Sequence, residues 1–200
     1  MDKQLKPYIR IIDDVLPQEI ADDIEYMLFN ELNWKFISDI TYDGVDQKTP
    51  ALSHVFANVD WPGYNCGFLP RIQPIIDYGT KAISYKAMQL LKARTFLQLP
   101  LHKNYSSVWL DTLHTDQTYP HLVLLYYAID AEGETVIVNK TIEEKFTMCS
   151  LKAQDYEEII RVKPKKNRLV VFDGRYFHTA YQPKQGLRCI INFNVLGDFE

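Results

Sequence analysis

Residues 108–139 read VWLDTLHTDQTYPHLVLLYYAIDAEGETVIVN, and this stretch predicts three short strands separated only by turns. The turn signals are Thr118–Pro120 and Asp130–Gly133, where proline, glycine and acidic residues cluster. The apolar run Leu122–Ile129 has eight residues, the longest in the chain. That is the length of a strand and far below the roughly 20 residues of a membrane-spanning helix. The stretch therefore predicts β-structure without intervening helices.

The same pattern continues towards the end of the chain. We predict eight strands after residue 93: Arg94–Leu99, Val108–Asp116, His121–Ile129, Glu134–Asn139, Ile159–Val162, Leu169–Phe172, Phe177–Gln182 and Arg188–Val195. Short strands with few helices between them are typical of a jelly roll. The expected fold class is mainly β with flanking helices, with a jelly-roll core over about residues 94–196. Residues 140–158 exceed a hairpin connection and are expected to form a lid or a short helix.

The first 93 residues are predicted to be the helical part. Pro17 suits a first-turn position, and an apolar stripe follows it, which predicts a helix over about residues 17–32. A second stripe predicts a helix over about residues 70–91. The aromatic stretch 34–67 between them is expected to be irregular and to pack under the first helix or to cover a site. Because no repeat or linker is visible, residues 1–200 are interpreted as one domain.

Composition excludes several classes of protein. The chain is 46% hydrophobic and 24% charged, as in an ordinary globular protein, and its net charge of −4 makes nucleic acid an improbable partner. The basic cluster within residues 163–168 is interpreted as a solvated hairpin tip. Three cysteines, far apart and odd in number, indicate free thiols. With no apolar secretory segment near Met1, we expect a cytoplasmic protein, in the host-cell cytoplasm if the source is a virus.

Three residues form a candidate metal site. In a strand, His114 and Asp116 share one face because side chains alternate. His178 follows an apolar strand and a glycine turn, which would bring it in from a distant strand. Two histidines and one carboxylate are the ligand set of non-haem Fe(II) oxygenases, and they leave coordination positions open. His121 is the rival third ligand, although it is expected to begin the next strand.

Arg188 is the second element of the site. It lies ten residues after His178, in a strand with Cys189, Ile191, Phe193 and Val195 on one face and Ile190 beside Arg188 on the other. A buried and unpaired guanidinium costs several kcal/mol, so a buried Arg188 needs an anionic partner such as a carboxylate. The simpler alternative is a surface arginine at the start of a strand.

Together these residues resemble the 2-oxoglutarate- and Fe(II)-dependent dioxygenases, most closely the prolyl-4-hydroxylase-like branch. The family pattern of H-x-D, a distant His and an Arg about ten residues later matches His114, Asp116, His178 and Arg188. The segments Leu125–Tyr127, Gly133–Thr135 and Leu169–Asp173 are also similar to family segments. One departure is Ile190, where many relatives have a serine that shares the cosubstrate carboxylate.

The resemblance implies Fe(II), the cosubstrate 2-oxoglutarate and O₂. It implies that Arg188 and the second tyrosine of the pair, Tyr127, bind the far carboxylate of 2-oxoglutarate. It further implies hydroxylation of an unactivated C–H bond, with release of succinate and CO₂, on a prolyl or other protein side chain or a small molecule. Two alternatives remain open: a non-redox metal protein of the cupin kind, and a binding jelly roll with a decayed site.

Overall fold

A computed structural model describes residues 8–40, 49–61, 66–101, 111, 113–142 and 156–200. Two helices and ten strands follow the chain in the order β1 (Ile9–Ile12), α1 (Gln18–Asn30), β2 (Lys35–Ile37), β3 (Ala51–Asn58), α2 (Leu69–Ala82), β4 (Tyr85–Gln98), β5 (Leu122–Tyr127), β6 (Thr135–Thr141), β7 (Glu158–Val162), β8 (Arg168–Asp173), β9 (Tyr176–Ala180) and β10 (Arg188–Phe199). No helix of these ranges is both long and apolar enough to cross a membrane.

The strands form two antiparallel sheets. The larger sheet has the order β1-β8-β5-β10-β4-β3-β2, and the smaller sheet has the order β7-β6-β9. Helices α1 and α2 pack on the outer face of the larger sheet, and the smaller sheet lies over its inner face. The expectation of a mainly β jelly roll with helices on one sheet is confirmed.

Strand β5 explains why the decisive stretch is apolar throughout. Leu124 and Tyr126 point into the core under the helices, whereas Val123, Leu125 and Tyr127 point into the core between the sheets. A strand buried on both faces has no polar alternation, so its sequence is one continuous apolar run. The pairing of β5 with both β8 and β10 places it in the interior of the larger sheet.

The predicted second helix is wrong in its second half. Helix α2 ends at Ala82, Ser84 has a positive φ of 52°, and the chain continues as the long strand β4. Positions 83–91 match a helical period, but their pairing with the end of β10, from Phe199 to Val195, overrides that local preference. The stretch 34–67 is likewise not entirely irregular, because β2 and β3 extend the larger sheet there. The described residues up to 93 therefore contribute all or part of four strands as well as two helices.

The aromatic residues of that stretch divide between core and surface. Trp34 packs against the core under α1 and donates its indole N–H to the Leu28 carbonyl at 2.9 Å. Phe36 and Trp61 are 70% and 52% exposed, so neither packs under the helix. Most of the predicted lid or helix over residues 140–158 lies outside the described residues.

Candidate metal and cosubstrate site

His114 and His178 are brought together by a backbone bridge. The His114 N–H donates to the His178 carbonyl at 3.0 Å, and the His178 N–H donates back at 2.9 Å. This exchange puts the two rings 4.6 Å apart, centroid to centroid. Of the strand predicted over 108–116, residues 108–110 and 112 lie outside the described residues, and His114 pairs with His178 through an isolated antiparallel bridge.

Asp116 completes the cluster. Its Oδ2 lies 3.8 Å from the His178 Nε2, and one ligand atom from each of the three residues lies within 4.8 Å of the others. Metal–ligand bonds of about 2.0–2.2 Å allow ligand atoms up to roughly 4 Å apart, so closure by about an ångström would suffice for one ion. The three residues predicted from sequence therefore meet at one point.

The His178 ring is oriented for metal binding. Its Nδ1–H donates to the Tyr176 carbonyl at 3.2 Å, which leaves the lone pair of Nε2 directed towards Asp116. Burial, with a further contribution from the neighbouring His114, lowers the pKa of His178 to about 4. The ring is therefore neutral at physiological pH, as a metal ligand must be.

Asp116 is held as a buried anion. Its side chain is fully buried and forms an ion pair with Arg94, and its Oδ2 accepts hydrogen bonds from Asn192 and Asn194 at 2.8 and 2.9 Å. Burial opposes ionisation, but the positive charge of Arg94, followed by smaller contributions including the Asn192 hydrogen bond, leaves the pKa of Asp116 well below its usual value. Ligating carboxylates are commonly supported by such hydrogen bonds.

His121, the rival ligand, lies elsewhere. Its Nδ1–H donates to the Tyr119 carbonyl at 2.8 Å, and its Nε2 lies over Gly174, where an added Cβ would come within 2.1 Å of it. The residue lines a separate cavity that does not include His114, Asp116 or His178. Among the described residues, the cluster that could hold a metal ion is therefore the one with His178.

Arg188 lies at the other end of the cavity that contains the three ligands. It is 4% exposed, and its guanidinium donates to the Gly133 carbonyl at 2.7 Å, to Thr135 Oγ1 at 2.9 Å and to Gln98 Oε1. The surface alternative is therefore wrong. Gly133 adopts a φ of +87° at this contact, and a Cβ there would come within 2.8 Å of Arg188 Cδ. Glycine is thus required where the backbone meets the arginine.

Tyr127 contacts the cavity indirectly, through the hydroxyl of Thr135. Its ring is fully buried, and its hydroxyl donates to Thr135 Oγ1 at 2.7 Å. Thr135 lines the cavity and also accepts from Arg188. Burial raises the pKa of Tyr127, so its hydroxyl stays protonated as a donor.

The cavity has a volume of about 240 Å³. By the same kind of measure a single water needs roughly 10–15 Å³, so this space admits a ligand of many atoms. Phe96 and Ile190, which are paired across β4 and β10, lie between the arginine end and the metal end, because each is two residues from a residue of either end along its strand. An apolar wall between two polar ends suits a ligand that carries charge at both ends.

Sequence reasoning missed several polar residues of the cavity. Two of them, Arg94 and Gln98, lie on β4, and Asp111 lies in the segment before His114. The signal for Asn192 and Asn194 was present in the sequence, because they share a strand face with Arg188 at positions i+4 and i+6 in an otherwise apolar strand.

Comparisons with known proteins give the fold. No family model matches the sequence, and the comparison with curated proteins finds no significant match. Among solved structures, a prolyl hydroxylase of Trichoplax adhaerens, in complex with a peptide fragment of the hypoxia-inducible factor oxygen degradation domain, has a TM-score of 0.60 and 13% identity. That match covers 94% of this chain and 83% of the other.

Two further structures share the fold. The viral collagen prolyl hydroxylase of Paramecium bursaria chlorella virus 1, in its 2-oxoglutarate complex, has a TM-score of 0.53 and 14% identity over 94% of this chain and 95% of the other. The epimerase SnoN of nogalamycin biosynthesis, in complex with Fe³⁺, α-ketoglutarate and nogalamycin RO, has a TM-score of 0.58 and 10% identity over 94% and 78%. The chain therefore has the fold of the 2-oxoglutarate-dependent non-haem iron enzymes.

Proposed function

We propose that this chain is an Fe(II)- and 2-oxoglutarate-dependent dioxygenase that hydroxylates an unactivated C–H bond. The observation that carries the proposal is the arrangement in one cavity of a two-histidine, one-carboxylate cluster and, beyond two apolar side chains, a buried arginine. The donor set fits iron, because three protein ligands on one side leave positions open for a cosubstrate and O₂.

His114, Asp116 and His178 would hold the iron. When bound, iron and 2-oxoglutarate supply the oxidising chemistry, with O₂ consumed and succinate and CO₂ released. The protein holds the ligands in place. The bridge to His114 and the Tyr176 carbonyl orient His178, and Arg94 and the two asparagines fix the carboxylate of Asp116.

Arg188 would bind the far carboxylate of 2-oxoglutarate. Three of its five N–H groups are used by Gly133, Gln98 and Thr135, which leaves two for a ligand. Thr135 Oγ1 accepts from both Tyr127 and Arg188, so its own proton is left to donate to the same carboxylate. This hydroxyl would fill the role of the serine that Ile190 replaces, and Tyr127 would act through Thr135 rather than directly.

The substrate would enter at the metal end of the cavity. Ile40 and Phe96 form an apolar lining beside Arg94, and two of the neighbouring structures are complexes with a peptide fragment and with nogalamycin RO. We propose a peptide side chain or a small molecule as the substrate. A membrane or a nucleic acid is not proposed as a partner, since the basic side chains of residues 165–168 form ion pairs with acidic residues.

Thermal unfolding with Mn(II), a redox-silent substitute for Fe(II), tests the binding part of the proposal. A ligand at 100 times its dissociation constant adds about 2.7 kcal/mol of stability, or roughly 5–10 °C for a chain of this size. We expect 2-oxoglutarate to raise the unfolding temperature only when Mn(II) is present. A decayed binding module would show no metal effect, and a non-redox metal protein would respond to Mn(II) but not to 2-oxoglutarate.

Turnover tests the catalytic part. With Fe(II), 2-oxoglutarate and O₂, the protein should form succinate even without its substrate, at a slow uncoupled rate measured by NMR. Metal and cosubstrate binding without succinate under air would contradict the assignment as an oxygenase.

A further inference from the structure

The arginine end of the cavity holds a second buried carboxylate, which the proposed function does not use. Asp111 is 5% exposed and lines the same cavity as Arg188. Its backbone is fixed to β9, because its N–H donates to the Ala180 carbonyl at 2.9 Å and its carbonyl accepts from the Thr179 hydroxyl. The backbone of Asp111 is thus held in place at the cavity by contacts to β9.

Neutral groups surround the Asp111 carboxylate. The Gln98 amide of β4 donates to Oδ2 at 3.0 Å, and the Gln182 amide, after β9, donates to Oδ1. Thr49, before β3, adds a hydroxyl donor. The charged or titratable groups that act on it are Arg188 of β10 and His114 of its own segment. Within the described ranges no cation forms a direct ion pair with Asp111, and Arg188 reaches it only through Gln98.

The charges at this end balance only while the cavity is free of ligand. Arg188 contributes one positive charge and an ionised Asp111 one negative charge. A dicarboxylate whose far end binds Arg188 adds a second negative charge beside Arg188 and Asp111, which are both buried. Two carboxylates that share one site cannot both stay ionised at low cost, so one of them takes up a proton.

We propose that binding of a dicarboxylate against Arg188 is coupled to uptake of one proton by the Asp111 carboxyl. The proposal rests on the proposed function, since it takes 2-oxoglutarate as the dicarboxylate. It makes Asp111 a residue that sets the pH range over which the cosubstrate binds.

The surroundings of Asp111 can also accommodate its protonated form. Gln182 Oε1 is buried and has no hydrogen-bond partner, so rotation of that amide would give a protonated Asp111 an acceptor. Burial also raises the pKa of Asp111 above its usual value before any ligand is bound. The same acceptor would serve an asparagine at this position, which makes Asp111→Asn a permanent mimic of the neutral acid.

Calorimetric titration of the Mn(II)-loaded protein with 2-oxoglutarate tests the proposal. Measured in two buffers of different ionisation enthalpy, the heat gives the number of protons taken up. Over the pH range in which Asp111 ionises in the free protein, we expect uptake to rise towards one proton and affinity to fall by up to tenfold per pH unit. The Asp111→Asn variant should bind 2-oxoglutarate without this proton uptake, and its affinity should depend less steeply on pH.

Two controls isolate the effect. Pyruvate, a 2-oxo acid without the far carboxylate, should bind without the Asp111-dependent proton. Asp77→Asn, which removes an exposed carboxylate on α2, should behave as the unmodified protein does.

Three results would overturn the inference or its premise. Equal proton uptake in the unmodified protein and in Asp111→Asn assigns the proton to another group. A uniform loss of affinity in Asp111→Asn with an unchanged pH slope shows that Asp111 only orients Gln98. Failure of 2-oxoglutarate to bind either protein refutes the proposed function itself, which distinguishes it from failure of the proton coupling.

Discussion

The two ends of the cavity each contain a buried aspartate, and the two carboxyl groups are held in opposite ways. Asp116, at the metal end, touches Arg94 directly and accepts from two asparagines, and its pKa is lowered despite burial. Asp111, five residues earlier, is surrounded by amides and hydroxyls, and burial raises its pKa. The difference shows that contact with a cation, rather than burial, decides which carboxylate stays ionised. On the proposed assignments, the ionised carboxylate at the metal end would ligate the metal, and the protonatable one at the arginine end would permit an anion to bind.

The largest effect is expected at the metal end. His178→Ala should reduce succinate formation at least 100-fold, because it removes a ligand rather than a supporting contact. Uncoupled turnover of 2-oxoglutarate, measured by NMR, checks this. His121→Asn can still donate to the Tyr119 carbonyl and is the matched control, expected to stay within a few-fold of the unmodified protein. Retained turnover in His178→Ala would refute the ligand assignment.

At the arginine end, Arg188→Met should raise the KM for 2-oxoglutarate about 100-fold. Two charge-assisted hydrogen bonds, at about 1.5 kcal/mol each, are lost. Arg188→Lys keeps the charge without the planar fork and should fall between the two proteins. Mn(II) affinity should be unchanged in both variants. A KM that does not move would show that the cosubstrate binds elsewhere.

Arg94 tests whether the contacts of Asp116 matter for the metal. Arg94→Met should weaken Mn(II) binding about 10–100-fold, the usual range for a residue that orients a ligand. Arg94→Lys should restore most of the affinity, since it keeps a cation beside Asp116. Metal titration measures the change, and the KM for 2-oxoglutarate at saturating metal should stay constant. If both variants lose affinity equally, the role of Arg94 is packing.

Tyr127 tests the indirect contact through Thr135. Tyr127→Phe removes one hydrogen bond to Thr135 Oγ1, worth about 1 kcal/mol, and should raise the KM for 2-oxoglutarate about fivefold. Thr135→Val removes the direct donor and should have the larger effect in the same steady-state assay. The reverse order would mean that the tyrosine itself binds the carboxylate.

The smallest effect concerns a partly exposed ion pair far from the cavity. Arg168 binds Asp13 and lowers the pKa of Asp13 to about 2. Because the folded pKa is depressed, the stabilisation is complete above about pH 4 and is lost as the pH falls towards 2. Asp13→Asn should cost at most about 1 kcal/mol at pH 7, since both partners are accessible to solvent. Chemical denaturation at pH 7 and pH 2.5 checks this, and an equal difference at both pH values would contradict it.

The β-rich fold and the main residues that meet in the cavity could be predicted from the sequence. Strand alternation and the spacing of His114, Asp116, His178 and Arg188 are local or motif-level signals, and these side chains lie in one cavity. The prediction of a helix over 83–91 was wrong because these residues pair with the last residues of β10. Those partners lie about 110 residues away in sequence, so the pairing is not visible locally. Long-range pairing of this kind leaves no local trace.

The charged and polar contacts within the cavity could not be predicted from the sequence either. Arg94 lies 22 residues from Asp116, and Asp111 contacts residues 13 and 71 positions away, so no helical or strand periodicity predicts these contacts. Arg188 was expected to need an anion, yet its direct partners are a backbone carbonyl, an amide and a hydroxyl. Its burial was predictable, but the identity of its neighbours was not.

The most direct test of the central claim is an anaerobic crystal structure of the protein with Mn(II) and 2-oxoglutarate. We predict one anomalous peak within roughly 2.0–2.3 Å of a nitrogen of His114, an oxygen of Asp116 and the Nε2 of His178, with the far carboxylate of 2-oxoglutarate on Arg188. A metal bound away from these three side chains, or a cosubstrate that leaves Arg188 without a carboxylate partner, would contradict the account.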